Sequence, residues 1–467
     1  MRVLADVRPT PEQLAIVSRN RPGTEVIRGA AGSGKTTTAL LRLRSLIGMF
    51  VNRKKRQQVD EPVRVLVLTY NRTLRGYIEA LARQQALETK GLELEISTFG
   101  KWAWGLLGRP QMVDEGDRAA KIKTLGRAIG LASDFLVEEV DYAIGRFLPD
   151  SIQDYLATRR HGRGATPRVD QATRERILDE VIEPYRTWKQ QKRISDWNDL
   201  AAALSQKQFA PLYDIIVADE TQDFSANEIR AIKNQLEPVH SLTLVIDSAQ
   251  RIYPRGFTWQ EAGIVVRPEN TRRLERNYRN TVEIARFAMP LMEGIPIDDD
   301  GTIPDFSKCE RHGPAPVVLK GRFSAQLQYV LEYLRKDVDL KIESVAILHM
   351  LGGHWFDYAR WALRRARLDF VEITRQSDWP SGPENIALST LHSAKGLEFD
   401  HVIIIGLNAE ITPHGTEEED DRLAKLRRLL AMGIGRARNS VVVGYKPEDA
   451  SRLIKYLDPS TYEEIPV

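Results

Sequence analysis

The segment from Gly29 to Thr36 has the residue types and spacing of a phosphate-binding loop. Its sequence, GAAGSGKT, fits the pattern G-x-x-x-x-G-K-[ST] and lies between a β-rich run ending at Ile27 and an apolar-periodic helix. Small residues let backbone N–H groups turn inward around a triphosphate, and the helix dipole adds positive potential. Lys35 would reach the β- and γ-phosphates of ATP, and the Thr36 hydroxyl would ligate Mg²⁺. A glycine-rich turn with a chance lysine is the alternative. The expected nucleotide ligands here are Gly29, Ala30, Ala31, Gly32, Ser33, Gly34, Lys35, Thr36 and Thr37.

An acidic pair follows a second apolar run. Ile215 to Ala218 predict a buried strand, and Asp219 and Glu220 come directly after it. In an open α/β sheet the carboxyl end of such a strand lies beside the phosphate loop. Asp219 would hold Mg²⁺ through water, and Glu220 would orient or deprotonate the attacking water. The alternative is that the two carboxylates only cap the N-terminus of a helix.

Two glutamines are candidates for nucleotide contacts. A third apolar run, Leu242 to Ile246, precedes Gln250, whose amide would lie at the same sheet edge and could sense the γ-phosphate. Near the N-terminus, Thr10 and Pro11 predict a helix start. An amide such as Gln13, on that helix, could read the two-sided edge of adenine.

Hydroxyl and aromatic residues occur at the ends of two further predicted strands, Arg64 to Thr69 and Leu94 to Phe99. Beyond Gln250, aromatic residues alternate with arginine. Such groups can grip a phosphate backbone and stack on the bases of a single strand. For Tyr70 and Phe99 an ordinary place in the core is the alternative. The candidates are Thr69, Tyr70, Asn71, Thr98, Phe99, Phe257 and Trp259.

Composition limits the class of protein. The chain has 467 residues, 42% of them apolar and 28% charged, which is typical of a soluble globular protein with two or three domains. The net charge of +3 hides any local basic stripe. The single cysteine, Cys309, excludes an intrachain disulfide and indicates a reducing compartment, so we expect a cytoplasmic protein. We find no apolar run of bilayer length, and therefore expect no membrane association.

Hydrophobic periodicity predicts an α/β chain with two sheet lobes. Strand-like runs flank a stretch of purely helical periodicity, and a second α/β pattern without its own phosphate loop follows near Asn280. We predict a first lobe over residues 1–103 and 196–280, a helical insertion over 104–195, and a second lobe over 281–467. A pair of lobes would hold the nucleotide between them.

Five stretches in this order resemble the UvrD/PcrA/Rep-type DNA helicases of superfamily 1: GAAGSGKT, VADETQDF, LERNYRN, STLHSAKGLEFD and MGIGRA. The resemblance implies two RecA-like parallel-sheet lobes with a helical insertion in the first. It also implies that Gln13 reads adenine, Tyr278 stacks on the base, Gln250 senses the γ-phosphate and Glu398 lies near the ribose. Arg279, at the border of the two lobes, and Arg436, in the second lobe, match the arginines that reach the γ-phosphate from the second lobe. The positions matching the family's grip on single-stranded DNA are Thr69, Tyr70, Thr98, Phe99, Thr390 and His392.

The chain departs from that pattern in several places. Family members usually carry a large 2B subdomain where this chain has only the short loop from Thr374 to Pro383. An aspartate pair is replaced by Ser248-Ala249, a Trp-Arg pair by Arg255-Gly256, and a usual histidine by Gly100. The replacement at Arg255 leaves open whether Phe257 or Trp259 stacks on DNA.

The resemblance implies an ATP- and Mg²⁺-dependent translocase or helicase on single-stranded DNA, with 3′-to-5′ polarity. The alternatives are an ATP-gated DNA-binding regulatory subunit of a larger complex, without processive unwinding, and an RNA helicase. We recognise no nuclease motif, so cleavage would need a nuclease or another protein as partner. Repair, replication restart and defence against phage all remain open as pathways.

Overall fold

Two parallel β-sheets organise the protein. The structure is a computed structural model that describes residues 9–29, 33–69, 91–160, 167–246, 257–274, 279–295, 309, 311–374, 380, 382–415 and 420–467. Every strand pairing within the two sheets is parallel. The carboxyl ends of the strands in each sheet therefore meet at one edge, which is where polar groups and ligands gather in such folds.

The first sheet has six strands in the order β3-β2-β4-β5-β1-β6. Strands β2 and β4 and the second half of β5 are nearly continuous apolar runs, because an apolar core cluster packs against each face of the sheet. The strands are β1 (Gly23–Gly29), β2 (Val63–Thr69), β3 (Leu92–Thr98), β4 (Tyr213–Ala218), β5 (Leu236–Ile246) and β6 (Thr271–Leu274). The associated helices are α1 (Pro11–Val17), α2 (Lys35–Arg56), α3 (Phe99–Leu106), α9 (Trp197–Gln206) and α10 (Ala226–Asn234).

A helical region lies between β3 and β4 in the chain and has its own apolar core, which includes Val140, Ile177 and Tyr185. Its helices are α4 (Glu115–Leu125), α5 (Ser133–Arg146), α6 (Asp154–Ala157), α7 (Gln171–Arg176) and α8 (Glu183–Lys192), with a π-helical segment, Ile177–Ile182, joining the last two. Arg146 forms a 2.8 Å ion pair with Glu261 near the first sheet.

The second sheet has seven strands in the order β13-β7-β12-β11-β8-β10-β9. They are β7 (Val317–Lys320), β8 (Val345–His349), β9 (Phe370–Ile373), β10 (Ile386–Thr390), β11 (Phe399–Ile404), β12 (Ala437–Tyr445) and β13 (Glu463–Pro466). Its helices are α11 (Val282–Ala288), α12 (Phe323–Lys336), α13 (Asp357–Arg365) and α14 (Asp421–Ile434). One buried apolar cluster contains residues of both sheets, for example Val65 and Val443, so the two lobes share packed surface.

The predicted α/β class with two parallel-sheet lobes is confirmed, and the region expected to be helical is helical. Several strand boundaries were wrong: β5, for example, begins at Leu236 rather than Leu242. The strand expected to continue to Phe99 ends at Thr98, because the Thr98 hydroxyl accepts a 3.3 Å hydrogen bond from the backbone N–H of Lys101 and caps α3. Across the described part of the chain, we find no helix that combines the length and apolar character needed to span a bilayer. The division into domains stays a prediction.

Candidate nucleotide and nucleic-acid site

The phosphate loop connects β1 to α2, as the sequence pattern requires. Gly34 precedes the helix with a φ of 75°, and a Cβ there would lie 2.4 Å from Nε2 of Gln13. Only glycine fits this position, because the left-handed backbone and the close amide both exclude a side chain. The helix that follows is 22 residues long and directs its N-terminus at the loop. Ala30, Ala31 and Gly32 lie outside the described residues.

Lys35 and Thr36 open α2 beside the acidic pair. Lys35 Nζ donates a 2.9 Å hydrogen bond to the carbonyl oxygen of Gly29, and the Thr36 hydroxyl donates a 2.8 Å hydrogen bond to Asp219 Oδ2. A hydroxyl and a carboxylate are hard oxygen ligands, and Mg²⁺ usually binds through few protein oxygens plus water and phosphate. The residues present therefore fit the metal expected from the sequence, with Thr36 and Asp219 as its protein ligands.

Asp219 and Glu220 are buried and have opposite pKa shifts. Burial and the adjacent Glu220 charge raise the pKa of Asp219 to about 7. Burial also opposes ionisation of Glu220, but the positive charges of Lys395, Arg436 and Lys35 hold its pKa below the usual range. Glu220 is therefore the carboxylate of the pair that stays ionised, which is the state a general base requires.

Glu220 has a left-handed backbone, with a φ of 53°. A non-glycine residue in this conformation is uncommon and costs on the order of 1–3 kcal/mol, so the surrounding structure must hold it there. Gln222 donates a hydrogen bond from Nε2 to Glu220 Oε2. The amide thus fixes the direction of the carboxylate.

Lys395 belongs to the second lobe but contacts the acidic end of β4. It follows β10 in the chain, is 2% exposed, forms an ion pair with Asp223 and lies 3.8 Å from Glu220 Oε2. Lys395 lies within the stretch STLHSAKGLEFD, but the sequence predicted no role for Lys395 or for Asp223. No local pattern could have paired the two residues, because 172 positions separate them.

Three arginines surround Glu398. Arg279 forms an ion pair with the Glu398 carboxylate and donates a 3.3 Å hydrogen bond to the carbonyl oxygen of Gly435. Burial disfavours the Glu398 charge, yet Arg279, Arg438 and Arg436 together keep its pKa lowered. Arg436 is 3% exposed, and its charge also acts on Glu220. Arg279, Arg436 and Glu398 therefore form one electrostatic group beside the carboxylate expected to act on water.

Gln13 lies against the phosphate loop. Its Nε2 donates a 3.3 Å hydrogen bond to the carbonyl oxygen of Ser33, and its Oε1 accepts one from the backbone N–H of Thr10. The helix start predicted at Thr10 is present, with a capping box between Thr10 and Gln13. The adenine contact stays a prediction. Gln250 and Tyr278 lie outside the described residues.

The carboxyl edge of the first sheet also carries residues expected to bind DNA. Thr69 and Thr98 end neighbouring strands and pair in register, but Thr69 is fully buried. Phe99 is 4% exposed and packs edge-on against Trp102, with ring centroids 5.5 Å apart. Phe99 therefore has the packing of a core aromatic, the alternative considered from the sequence. Tyr70 and Asn71 lie outside the described residues.

Phe257 and Trp259 are both half-buried and contact each other edge-on, with ring centroids 5.8 Å apart. They pack against the core of the first sheet, so neither ring is singled out by exposure as the one that stacks on DNA. At the second sheet, Thr390 ends β10 and caps the next turn by accepting a 3.0 Å hydrogen bond from the backbone N–H of Ser393. His392 lies half-buried in that turn.

Comparison with known proteins agrees with this arrangement. The family model described as UvrD/REP helicase N-terminal domain matches residues 10–266, more than half of the chain, and the UvrD-like helicase C-terminal domain matches residues 363–448. The two matches together take in the phosphate loop, the acidic pair and the Thr390 to Arg436 region.

Individual relatives match over short segments. The ATP-dependent DNA helicase Rep of Buchnera aphidicola subsp. Schizaphis graminum is 44% identical over 64 residues, covering 14% of this chain and 10% of that protein. Rep of Escherichia coli K12 is 36% identical over 58 residues, covering 12% and 9%. The ATP-dependent DNA helicase PcrA of Bacillus subtilis is 35% identical over 74 residues, covering 16% and 10%.

These alignments span about a tenth of the length of each relative, so family membership rests on the domain models rather than on any single relative. The N-terminal model spans the helical region as well as strands β1 to β5 of the first sheet. From the two domain matches and the two-sheet architecture, we conclude that the chain belongs to the UvrD/REP helicase family.

Proposed function

We propose that the protein is an ATP-dependent motor on single-stranded DNA. The observation that carries this proposal is the convergence of groups from both sheets on Glu220. Lys35 comes from the first lobe and Lys395 and Arg436 from the second, and all three lower the pKa of the Glu220 carboxyl. An ATPase whose activity depends on lobe closure needs this arrangement, because the groups that stabilise the transition state come from both sides.

Each residue of the site has a separate role in ATP hydrolysis. The phosphate loop and Lys35 bind the triphosphate, and Glu220 takes a proton from the attacking water. Arg279 and Arg436 stabilise the negative charge that develops on the transferred phosphoryl group. When bound by Thr36 and Asp219, Mg²⁺ would neutralise phosphate charge.

Movement on DNA would follow from opening and closing of the lobes. Thr98 at the edge of the first sheet and Thr390 at the edge of the second could each hold the phosphate backbone. A change in the distance between Thr98 and Thr390 during each ATP cycle would move the DNA strand along the protein. The 3′-to-5′ polarity follows from the resemblance alone.

An ATP-gated regulatory subunit is the second candidate function. The observation that favours it is the short segment between β9 and β10, where family members usually insert a 2B subdomain. Such a protein would bind DNA in response to ATP without displacing a strand.

The proposal is tested by measuring ATP hydrolysis with single-stranded DNA, duplex DNA and RNA, together with strand displacement on 3′-tailed and 5′-tailed duplexes. We expect strong stimulation by single-stranded DNA that weakens as salt rises, because backbone contacts release counterions. Glu220→Gln is the matched inactive control. Stimulation by RNA alone would overturn the DNA assignment, and ATP hydrolysis that single-stranded DNA does not stimulate, with no strand displacement, would favour the regulatory candidate.

A further inference from the structure

The second lobe carries a line of aromatic and basic side chains on its outer surface. Tyr358 and Trp361 lie one turn apart on α13 and are 44% and 49% exposed. Phe323 contacts the Tyr358 ring at one end of the line, and Arg365 covers the Trp361 ring at the other. We call Phe323, Tyr358, Trp361 and Arg365 the aromatic stripe.

The rings of the stripe are arranged as a stacking platform. The centroids of Tyr358 and Trp361 are 5.4 Å apart with an interplanar angle of 22°, and the Arg365 guanidinium lies 5.2 Å from the Trp361 centroid. Large aromatic side chains are usually buried in the core. Two neighbouring rings that are exposed therefore indicate a binding surface. Successive bases of a single strand stack on aromatic rings and on guanidinium planes in this way.

The charge around the stripe suits a polyanion. Arg364, Arg365 and Arg367 are exposed along the same helix and the turn that follows it. The neighbouring acidic groups Asp357 and Glu372 both bind Arg360, at 2.6 Å and 2.8 Å. Arg360 thereby compensates Asp357 and Glu372, and the three exposed arginines outnumber Asp369, the exposed acid that precedes β9.

The stripe is continuous with the sheet edge expected to hold DNA. It begins at Phe323, which lies against Gly406 just beyond the carboxyl end of β11. The loop that leads into α13 also reaches this edge, because a Cβ on Gly352 would lie 2.6 Å from Thr390 Cγ2. A strand held at Thr390 can therefore continue onto α13.

We infer that the aromatic stripe binds single-stranded DNA beyond the grip at Thr390 and extends the DNA site over the outer surface of the second lobe. The inference rests on the proposed function and goes further. It predicts that DNA bases stack on residues outside the five stretches that resemble the family. It also gives the lobe a DNA-holding surface on the helix that binds β9 through the Arg360–Glu372 ion pair.

The test compares Tyr358→Ala/Trp361→Ala with the unchanged full chain. Binding is measured by fluorescence anisotropy with oligothymidylates of increasing length. For the unchanged protein we expect affinity to keep rising with length after short oligonucleotides are saturated. The double variant should lose about tenfold in affinity for long oligonucleotides, within the range for losing stacking aromatics, and keep its affinity for short ones. Arg365→Gln should lower the slope of log affinity against log salt by about one.

Two controls separate a stacking role from a structural one. Tyr358→Phe/Trp361→Phe should restore the binding of long oligonucleotides, since phenylalanine rings also stack. Ile342→Ala removes another exposed apolar side chain, near the opposite edge of the same sheet, and should change nothing. ATPase stimulation by a short oligonucleotide should be equal in the double variant and the unchanged protein.

The outcomes distinguish the two levels of the proposal. Equal affinity of the double variant for long oligonucleotides overturns the stripe while leaving the motor intact. Absence of DNA binding by the unchanged chain overturns both. A Trp361-dependent dimer in sedimentation, with unchanged DNA affinity, would show that the stripe binds a second copy of the chain instead.

Discussion

Lys395 of the second lobe forms a buried ion pair with Asp223 of the first and lies 3.8 Å from Glu220. Both side chains of the pair are nearly inaccessible to solvent, so their charges depend strongly on each other. The pair links the turn that follows Thr390, a proposed DNA contact, to the carboxylate proposed to activate water. Lys395 therefore connects the proposed nucleotide site to the proposed DNA contact.

We expect Lys395→Met to lower the free energy of unfolding by about 3–5 kcal/mol, because Asp223 loses a buried ion-pair partner and Glu220 a nearby positive charge. The variant should also lose much of the ATPase stimulation by DNA. Denaturant unfolding and ATPase assays measure the two effects. Lys425→Met is the matched control: Lys425 also pairs across elements, with Glu138, but is more exposed, so its loss should cost about 0–1 kcal/mol. If the two variants lose the same free energy of unfolding, burial of the Lys395 ion pair does not make it more important than an exposed pair.

Lys35→Ala and Glu220→Gln should both abolish ATP turnover, but for different reasons. Lys35→Ala weakens phosphate binding, whereas Glu220→Gln removes the base and leaves ATP bound. Nucleotide binding and turnover measured on the same preparations separate the two effects. Near-normal turnover by Glu220→Gln would remove Glu220 from its assigned role.

Arg279→Ala and Arg436→Ala should each reduce turnover by orders of magnitude and change nucleotide affinity much less, because both arginines are expected to act in the transition state. Arg279→Ala also leaves Glu398 with less compensating charge, so the pKa of Glu398 should rise in that variant. Steady-state kinetics and equilibrium nucleotide binding provide the measurements. If binding and turnover fall together, both residues are ground-state ligands and closure of the lobes is not required.

His349 should make the protein less stable in acid. Burial lowers the pKa of His349 to about 4, and its Nδ1 accepts hydrogen bonds from the backbone N–H groups of Leu351 and Gly352. The unfolded chain binds this proton near pH 6.5 and the folded chain only near pH 4, so stability falls as pH drops through this interval. The expected loss is up to about 3 kcal/mol, at 1.36 kcal/mol for each pKa unit. His349→Asn keeps an acceptor without titrating, so its unfolding free energy should depend less on pH between 6.5 and 4.

The isolated monomer should translocate on single-stranded DNA but displace a long duplex weakly. The resemblance implies a duplex-contacting subdomain where this chain has only the segment from Thr374 to Pro383, so we expect a weaker hold on duplex. Trp379 in this segment is a candidate docking point for a partner protein, and it lies outside the described residues. Strand displacement on a 3′-tailed duplex at low protein concentration measures the effect. Robust displacement by the monomer would contradict the prediction.

Local sequence determined where the main strands of the first sheet lie and which polar residues follow their carboxyl ends. The apolar run Ile215 to Ala218 and the acids after it could be read directly, because a buried parallel strand is a continuous apolar run and its carboxyl end faces the ligand. The phosphate loop and the Thr10 cap were equally readable, since their chemistry lies within a few residues. The order of the strands and the number in each sheet were not predicted, because pairing depends on contacts between distant segments.

Tertiary structure decided which side chains are buried and which charges meet. Phe99 lies at the predicted place, but packing against Trp102 makes it a core residue, and hydrophobic periodicity over a short strand end cannot decide that. No local pattern identifies Asp223 as the partner of Lys395. None predicts that the rings of Tyr358 and Trp361 are stacked and exposed. Sequence supplies the chemical groups within each segment, whereas desolvation and charge pairing arise only when the fold brings distant segments together.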